Sequence, residues 1–226
     1  MPSTEQPRST AATRRRERTR EIITATRMLF DERGMRDAQI EDVARAVGIN
    51  RAIVYRHFTG KEELFALTLV TYLDEVFALL AEVDDPEQPA PVRLRRLVET
   101  FSEYGLARPA FVDCAQSLMR RSTAELLDEM TEDAALRLGR AMSAPLSLLA
   151  SVLRRGTVEG HFHVEDPDGQ ANLLYATALG ALQLVRVGLL LEHSPGNPTV
   201  RAIDDEQAKA YLVRSAVALA TYRDEA

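Results

Sequence analysis

An all-α protein in two unequal parts is what this sequence predicts, and three observations predict it. Leu, Ala and Val carry most of the apolar content, Trp is absent and aromatics make up 6% of the 226 residues, which favours helices over sheets. Apolar residues recur at helical spacing through successive segments, and Pro and Gly punctuate them. The length exceeds one small domain and falls short of three.

Taken in order, residues 1–13 are rich in Ser, Thr and Pro with almost nothing apolar, and are expected to form a disordered tail. From about Thr13 to Arg33, Ile22, Thr26, Leu29 and Phe30 lie on one helical face, and Gly34 ends the helix. A loop over 35–39 leads to a second helix that starts near Gln39 or Ile40. Its Val43, Ala44 and Val47, with Val54 beyond, mark the faces along which two short helices touch. Gly48 falls where the second helix must stop, in a conformation glycine tolerates best. Asn50 then offers a side-chain oxygen to cap a third helix. Helix, glycine turn and capped helix make a helix-turn-helix, a motif whose second helix enters the DNA major groove.

That reading assigns roles to side chains. Arg51, Ala52 and Ile53 occupy the first turn of the third helix, the end that enters the groove first. Arg51 suits guanine O6 and N7 as a bidentate pair, Ala52 leaves room for close backbone approach, and Ile53 can meet a thymine methyl. Tyr55, His57 and Lys61 supply donors for phosphate oxygens, with Arg56 a further candidate. Arg14, Arg15 and Arg16 are candidates for an arm that reaches phosphates or the adjacent minor groove. Charge follows the same plan. The formal net charge is −6, yet residues 1–65 hold thirteen Arg and Lys against ten Asp and Glu out of totals of 28 and 34, so residues 66–226 hold fifteen against twenty-four. A basic head on an acidic body attracts phosphate at one end only.

The run GINRAIVYRHFTGKEEL, preceded by IEDVARAVG, resembles the DNA-binding signature of TetR-family transcriptional regulators. The resemblance implies that Tyr55, His57 and Lys61 contact phosphate and groove, and that Arg51, Ala52 and Ile53 lie nearest the bases. Gln39 stands where the family usually has a capping Thr, so that phosphate contact comes from an amide. Ile53 replaces a usual Thr and so changes which bases are preferred, and Gly60 replaces a usual Ser cap. It also implies an all-α architecture, with an N-terminal three-helix helix-turn-helix domain over 14–61 and a larger helical effector-binding and dimerisation domain over 62–226. The implied partners are a double-stranded palindromic operator, a second copy of the chain and a small-molecule effector.

Lys61 to about Val83 continues as one helix with a stripe of Leu64, Phe65, Leu69, Leu73, Val76, Phe77 and Leu80, and three prolines in residues 84–91 end it. In the family such a helix links the DNA-binding head to the body. Helices are expected over Val92–Ala107 and from Pro109 to about Arg121, Pro109 being placed at a first turn. Ser122 opens a polar helix over 122–142 with Glu125 at capping-box spacing, and another runs from Pro145 to Gly160. Two long helices close the chain, Asp168 to about Glu192 and Asp204 to Arg223. Small residues Ala176, Ala178, Gly180, Ala181 and Gly188 on one, and Leu212, Ala216, Leu219 and Ala220 on the other, nominate them for a four-helix contact between two copies. An effector pocket is expected among the helices between residues 92 and 186, with Phe101, Tyr104, Phe111, Cys114, Leu118 and Tyr175 as candidate contacts for a largely apolar compound.

Several function classes drop out. A lone cysteine, Cys114, gives no internal disulfide framework and fits a reducing, cytoplasmic setting, with a redox switch as its one special role. The first twenty residues hold no apolar run of the kind a secretory signal needs. Residues 173–191 approach the ~20 apolar residues of a membrane span, but a central Arg186 would cost roughly 2.5–3.5 kcal/mol there, so a buried interface helix is expected and no membrane partner. His161 and His163 beside Glu165 and Asp166 sit in a turn, and no metal is expected. His57 and His193 lie far in sequence from Cys114, and no Gly-rich phosphate loop, nucleophile elbow or zinc-protease motif occurs. The expectation is a binding protein without cofactor, not an enzyme. A DNA-binding regulator that takes no effector and, behind it, a helical enzyme are the alternatives.

Overall fold

The helical stripes read from the sequence become ten α-helices and one two-stranded ribbon in a computed structural model that describes residues 6–188, 190–192 and 199–223. In chain order these are α1 Gln6–Arg33, α2 Ile40–Val47, α3 Arg51–His57, α4 Lys61–Val83, α5 Ala90–Ala107, α6 Pro109–Met119, α7 Thr123–Asp128, α8 Glu132–Val158, α9 Pro167–Val187, β1 Leu190–Glu192, β2 Thr199–Arg201 and α10 Asp205–Thr221. The chain divides into two compact units, residues 1–71 with 113–138, and residues 72–112 with 139–226. Their boundary falls inside α4, α6 and α8, whereas the sequence places a division after residue 61.

In the first unit α1 packs on α2 and α3. Ile22, Phe30, Val43, Val54 and Leu64 are all but fully buried, and Phe30 meets Phe65 edge-on at 4.7 Å, the geometry that aligns ring edge with ring face. Thr26, the polar member of the α1 stripe, is buried and donates its hydroxyl to the Ile22 carbonyl at 2.8 Å. It therefore sits in the core without an unmet hydrogen bond.

One buried carboxylate organises this unit, and no local pattern announces it. Glu63, 3% exposed in the first turn of α4, accepts through Oε2 from the Thr59 amide at 2.5 Å and the Thr59 hydroxyl at 2.9 Å. Its Oε1 accepts from the Thr131 hydroxyl at 2.5 Å and the Thr131 amide at 3.3 Å. Thr131 also caps α8 by accepting from the Ala134 amide at 3.3 Å. One negative charge thus joins two helix N-termini, the ends where a carboxylate is stabilised. Burial pushes the Glu63 carboxyl up, but the Thr131 and Thr59 hydrogen bonds outweigh it and hold it below the usual carboxylate range.

The second unit is built on α5, α9 and α10, which pack against one another. Leu94, Phe111, Leu153 and Leu179 lie in its core. At Gly105 a Cβ would collide with the Leu182 side chain, so α5 and α9 approach there as closely as only glycine permits. Arg93 and Asp84 form a buried bidentate pair at 2.7 and 2.8 Å, tying the segment after α4 to α5. The ribbon pairs Leu190 with Arg201 and Glu192 with Thr199 in antiparallel register.

Several boundaries differ from those expected. The irregular tail over 1–13 is helical from Gln6 on, residues 1–5 lying outside the described residues. Ser122 does open a helix by a capping box, with its hydroxyl accepting from the Glu125 amide at 3.3 Å and Glu125 accepting from the Ser122 amide at 2.8 Å. That helix stops after one and a half turns, because Thr131 offers a second cap, and α8 starts there. Pro145 lies inside α8 and does not begin it. The face of α8 is buried on both sides of it, at Leu138 and Ala141 and again at Ala150 and Leu153, and that packing outweighs the roughly 3 kcal/mol proline penalty. The long helix expected to Glu192 ends at Val187, where Gly188 turns left-handed at φ 68°, and the ribbon follows. His193 lies outside the described residues.

Glu63→Ala should lower unfolding free energy by about 2–3 kcal/mol, since it removes a buried carboxylate hydrogen-bonded at two helix N-termini; urea denaturation checks this. Because the folded carboxyl is held low, its contribution is full above the unfolded value of about pH 4.3. It is lost as pH falls below that and through the folded value. The variant should therefore show a shallower acid-side loss of stability than the parent.

Candidate nucleic-acid interface

The face offered to a ligand by α3 is set by the turn before it. Gly48 adopts φ 71° and ψ 32°, and the Ile49 amide reaches back to the Ala44 carbonyl at 2.9 Å while the Gly48 amide reaches the Arg45 carbonyl at 3.1 Å. A side chain at Gly48 would meet nothing within 4 Å, so glycine is needed for its backbone conformation and not for space. Asn50 then caps α3, its Oδ1 accepting from the Ile53 amide at 3.0 Å. With both ends fixed, α3 buries Val54 and lets Phe58 plug the core at 1% and 2% exposure, while Arg51, Ala52, Tyr55 and Arg56 are exposed and Ile53 and His57 half-buried.

Arg51 is held ready at the surface. Its guanidinium donates to Glu41 Oε1 at 2.6 Å and to the Tyr55 hydroxyl at 3.4 Å, and its carbon lies 5.3 Å from the centre of the Tyr55 ring. Both members of the Arg51–Glu41 pair are at least half exposed, so exchanging Glu41 for a base edge costs little. Gln39 precedes α2 in extended conformation, makes no side-chain cap and is exposed. Its amide can therefore face phosphate as a donor. Lys61, in the first turn of α4, has its ammonium 4.9 Å from the centre of the Phe65 ring and no ion pair among the described residues.

His57 differs from expectation. Its Nδ1 lies 2.9 Å from Thr19 Oγ1, and that hydroxyl donates to the Arg15 carbonyl at 3.0 Å. The Thr19 proton being spent there, Nδ1 must be the donor, which leaves Nε2 of the neutral ring as an acceptor. Burial first, then the charges of Arg15 and Arg18, push its pKa down, so the free protein carries His57 neutral near pH 7. It can donate to phosphate only after gaining a proton.

The basic segment is also arranged differently. Arg14, Arg15 and Arg16 are exposed on α1. An α-helix about 10 Å across does not fit a minor groove about 6 Å wide, so these arginines do not form a minor-groove arm within the described residues. Arg15 donates to the Arg56 carbonyl at 3.3 Å, satisfying a carbonyl near the C-terminus of α3, and Arg14 and Arg16 are exposed.

The six residues expected to line an effector pocket do not converge. Phe101 and Tyr175, 5.8 Å apart at their ring centres, line an apolar cavity of about 60 Å³ with Leu97, Leu149, Leu174 and Leu212. Phe111 is fully buried beneath Phe101 and Tyr104, and the Tyr104 hydroxyl is committed to the Tyr72 carbonyl and to Glu75, at 3.2 Å each. Cys114 and Leu118 belong to the first unit and line a different cleft. Burial, with lesser pushes from Asp113 and Asp31, drives the Cys114 thiol up, which removes the thiolate a redox switch requires. His163 accepts from Arg223 at 2.6 Å and His161 lies 3.3 Å from Glu159.

If His57 contacts phosphate, affinity for duplex DNA should rise as pH falls from neutrality through the lowered pKa of the free His57, because bound phosphate favours the protonated ring. Fluorescence anisotropy across that range checks this, and His57→Gln should flatten the profile.

Comparison with known proteins agrees with this geometry. Residues 22–67, from the buried face of α1 into α4, match the sequence model of bacterial regulatory proteins of the tetR family. The HTH-type transcriptional repressor KstR2 of Rhodococcus jostii is 27% identical over 193 residues, covering 85% of this chain and 86% of that protein. The crystal structure of a tetR-family regulatory protein from Rhodococcus RHA1 superposes with a TM-score of 0.65 at 17% identity over 91% of this chain and 98% of that one. The structure of the ketosteroid transcriptional regulator KstR2 of Mycobacterium tuberculosis does so with a TM-score of 0.58 at 22% identity, over 91% and 96%. The stretch that holds α2, the Gly48 turn and the capped α3 thus matches the signature of tetR-family regulators, and the chain is similar in sequence and fold to DNA-binding transcriptional regulators of that family.

Proposed function

We propose that the protein is a cytoplasmic repressor that binds a palindromic operator as a homodimer and leaves it when a small, largely apolar effector binds the second unit. The observation that carries this reading is the division of α3 between one buried face, at Val54, and an exposed face that presents Arg51 and Tyr55. Arg51, Ala52 and Ile53 address bases; Gln39, Tyr55, Arg56, Lys61 and protonated His57 address phosphate, with Arg14 and Arg16 beside them. The role is binding, without catalysis or cofactor.

Dimerisation through α9 and α10 is supported by what the protomer leaves uncovered. Leu173, Leu184 and Val187 on α9, with Tyr211 and Leu219 on α10 and Tyr222 just after it, are large apolar side chains at least 42% exposed. Leu212, Ala216 and Ala220, proposed from sequence for this contact, are buried within the protomer. The free face therefore lies one position round the helix, through Tyr211 and Leu219. A twofold dimer matches the symmetry of a palindrome.

The effector reading is supported by the cavity around Phe101 and Tyr175, whose lining is apolar but for the hydroxyls of Tyr175, Thr177 and Ser215. A ketosteroid, the compound class in the name of the Mycobacterium tuberculosis neighbour, has that balance of apolar body and few polar groups. At about 60 Å³ the cavity is smaller than the ~300 Å³ of ordinary ligand pockets. An effector must therefore select a wider conformation, and it lowers operator affinity by its preference for that conformation and no more. The same small volume favours a second reading, a regulator that takes no effector.

Footprinting on DNA flanking the protein's own gene should reveal two symmetric half-sites, and a panel of steroid ketones should weaken that binding if the effector reading holds. No response to any apolar compound would favour the second reading. Tyr55→Ala and Lys61→Ala should weaken binding to all sequences, and Lys61→Ala should lower the salt slope by about 1. Arg51→Ala should cost about 1–3 kcal/mol at one base pair of each half-site and relax preference there. Unchanged gel shifts in all three variants would refute the recognition assignment. Leu219→Glu should yield monomers in sedimentation and lose half-site coupling.

A further inference from the structure

A second cleft, of about 350 Å³, lies within the first unit and shares no lining residue with the cavity around Tyr175. It is of the size that ordinary ligand sites have, and its lining is divided by chemistry. Ala66, Leu69 and Cys114, all at most 5% exposed, form its floor. Phe65 and Leu118 form apolar walls, and Arg36, Lys61, Arg121 and Glu62 stand at the more exposed rim.

The rim charges are not equivalent. Arg121 is engaged with Glu62 at 3.6 Å and with Glu129. That leaves Arg36 and Lys61 as cations with no ion pair among the described residues, both at the edge of an apolar hollow. At the inner end the floor of Ala66, Leu69 and Cys114 is buried and carries no formal charge, so a charge placed there would lose its hydration. An anion is therefore favoured at the rim and disfavoured at the floor, where only uncharged surface is suited.

We infer that this cleft binds a small amphipathic carboxylate, its headgroup held by Arg36 and Lys61 and its apolar body laid over Phe65, Leu69 and Leu118. The consequence rests on the reading of Lys61 as a phosphate contact. A carboxylate that occupies Lys61 withdraws it from DNA, so this ligand opposes operator binding by direct competition, without passing through the cavity of the second unit.

Calorimetric titration of the full chain with decanoate and with decanol tests the site, with circular dichroism to verify folding of each variant. Decanoate should bind at least about tenfold more tightly than decanol, as loss of a charge-assisted contact implies. Arg36→Ala should weaken decanoate by a similar factor, and Leu118→Trp, which fills the cleft, should abolish binding. Ser215→Leu, in the other cavity, should leave it unchanged. Equal binding of decanoate and decanol, no binding, or loss on Ser215→Leu but not on Arg36→Ala would overturn the site. In anisotropy, decanoate should reduce DNA affinity of the parent and have little effect on Lys61→Ala. If Lys61→Ala binds DNA as the parent does while decanoate still titrates into the cleft, the phosphate reading fails and the site stands.

Discussion

The left-handed turn at Gly48, closed one step later by the Asn50 cap, is the constraint on which the recognition surface depends. Seven residues are too few for a helix to persist unaided, and α3 has only seven. Its place is fixed by the turn and cap at one end and by buried Val54 and Phe58 on one side. Once those are set, the outward direction of Arg51, Ala52 and Tyr55 follows from helical geometry. Loss of the cap alone would remove a bond worth about 1 kcal/mol, a large part of what can hold so short an element in place.

Around that element the side chains are held by contacts that can be exchanged. Arg51 rests on Glu41 and Tyr55 at the surface, where ion pairs are weak, and Lys61 lies over an aromatic ring. His57 is bonded inward to Thr19 and neutral. The free protein therefore keeps its cations ordered without committing them, which on the proposed reading lowers the entropy lost when phosphate replaces the internal partner. The acidic remainder of the chain, fifteen Arg and Lys against twenty-four Asp and Glu in residues 66–226, directs such exchange to one end of the sequence.

Much of this was legible in the sequence because its causes are local. Helix α4 runs from Lys61 to Val83 as its stripe indicates, and Gly48, Asn50, Ser122 and Asp204 each act at helix ends as their residue types require. What escaped is non-local. Glu63 meets Thr131 across 68 positions, Thr19 meets His57 across 38, and Arg51 meets Glu41 across 10; no periodicity encodes such pairs. The pocket residues failed for a related reason. Phe111, Cys114 and Leu118 share one helix, α6, but the boundary between the two units falls within it, so a stripe that reads as one lining serves a core on one side and a separate cleft on the other.

The central claim is that the first turn of α3 reads base edges while flanking groups hold phosphate. Ile53 tests it most directly, because it is half-buried at that turn and exchanging it for Thr replaces an apolar contact by a hydroxyl without altering charge. Selection of bound duplexes from a randomised pool, with the parent and with Ile53→Thr, should give consensus sequences that differ at one position in each half-site, with equal salt dependence of binding. An identical consensus from both proteins, or a changed salt slope with no changed base, would contradict the account.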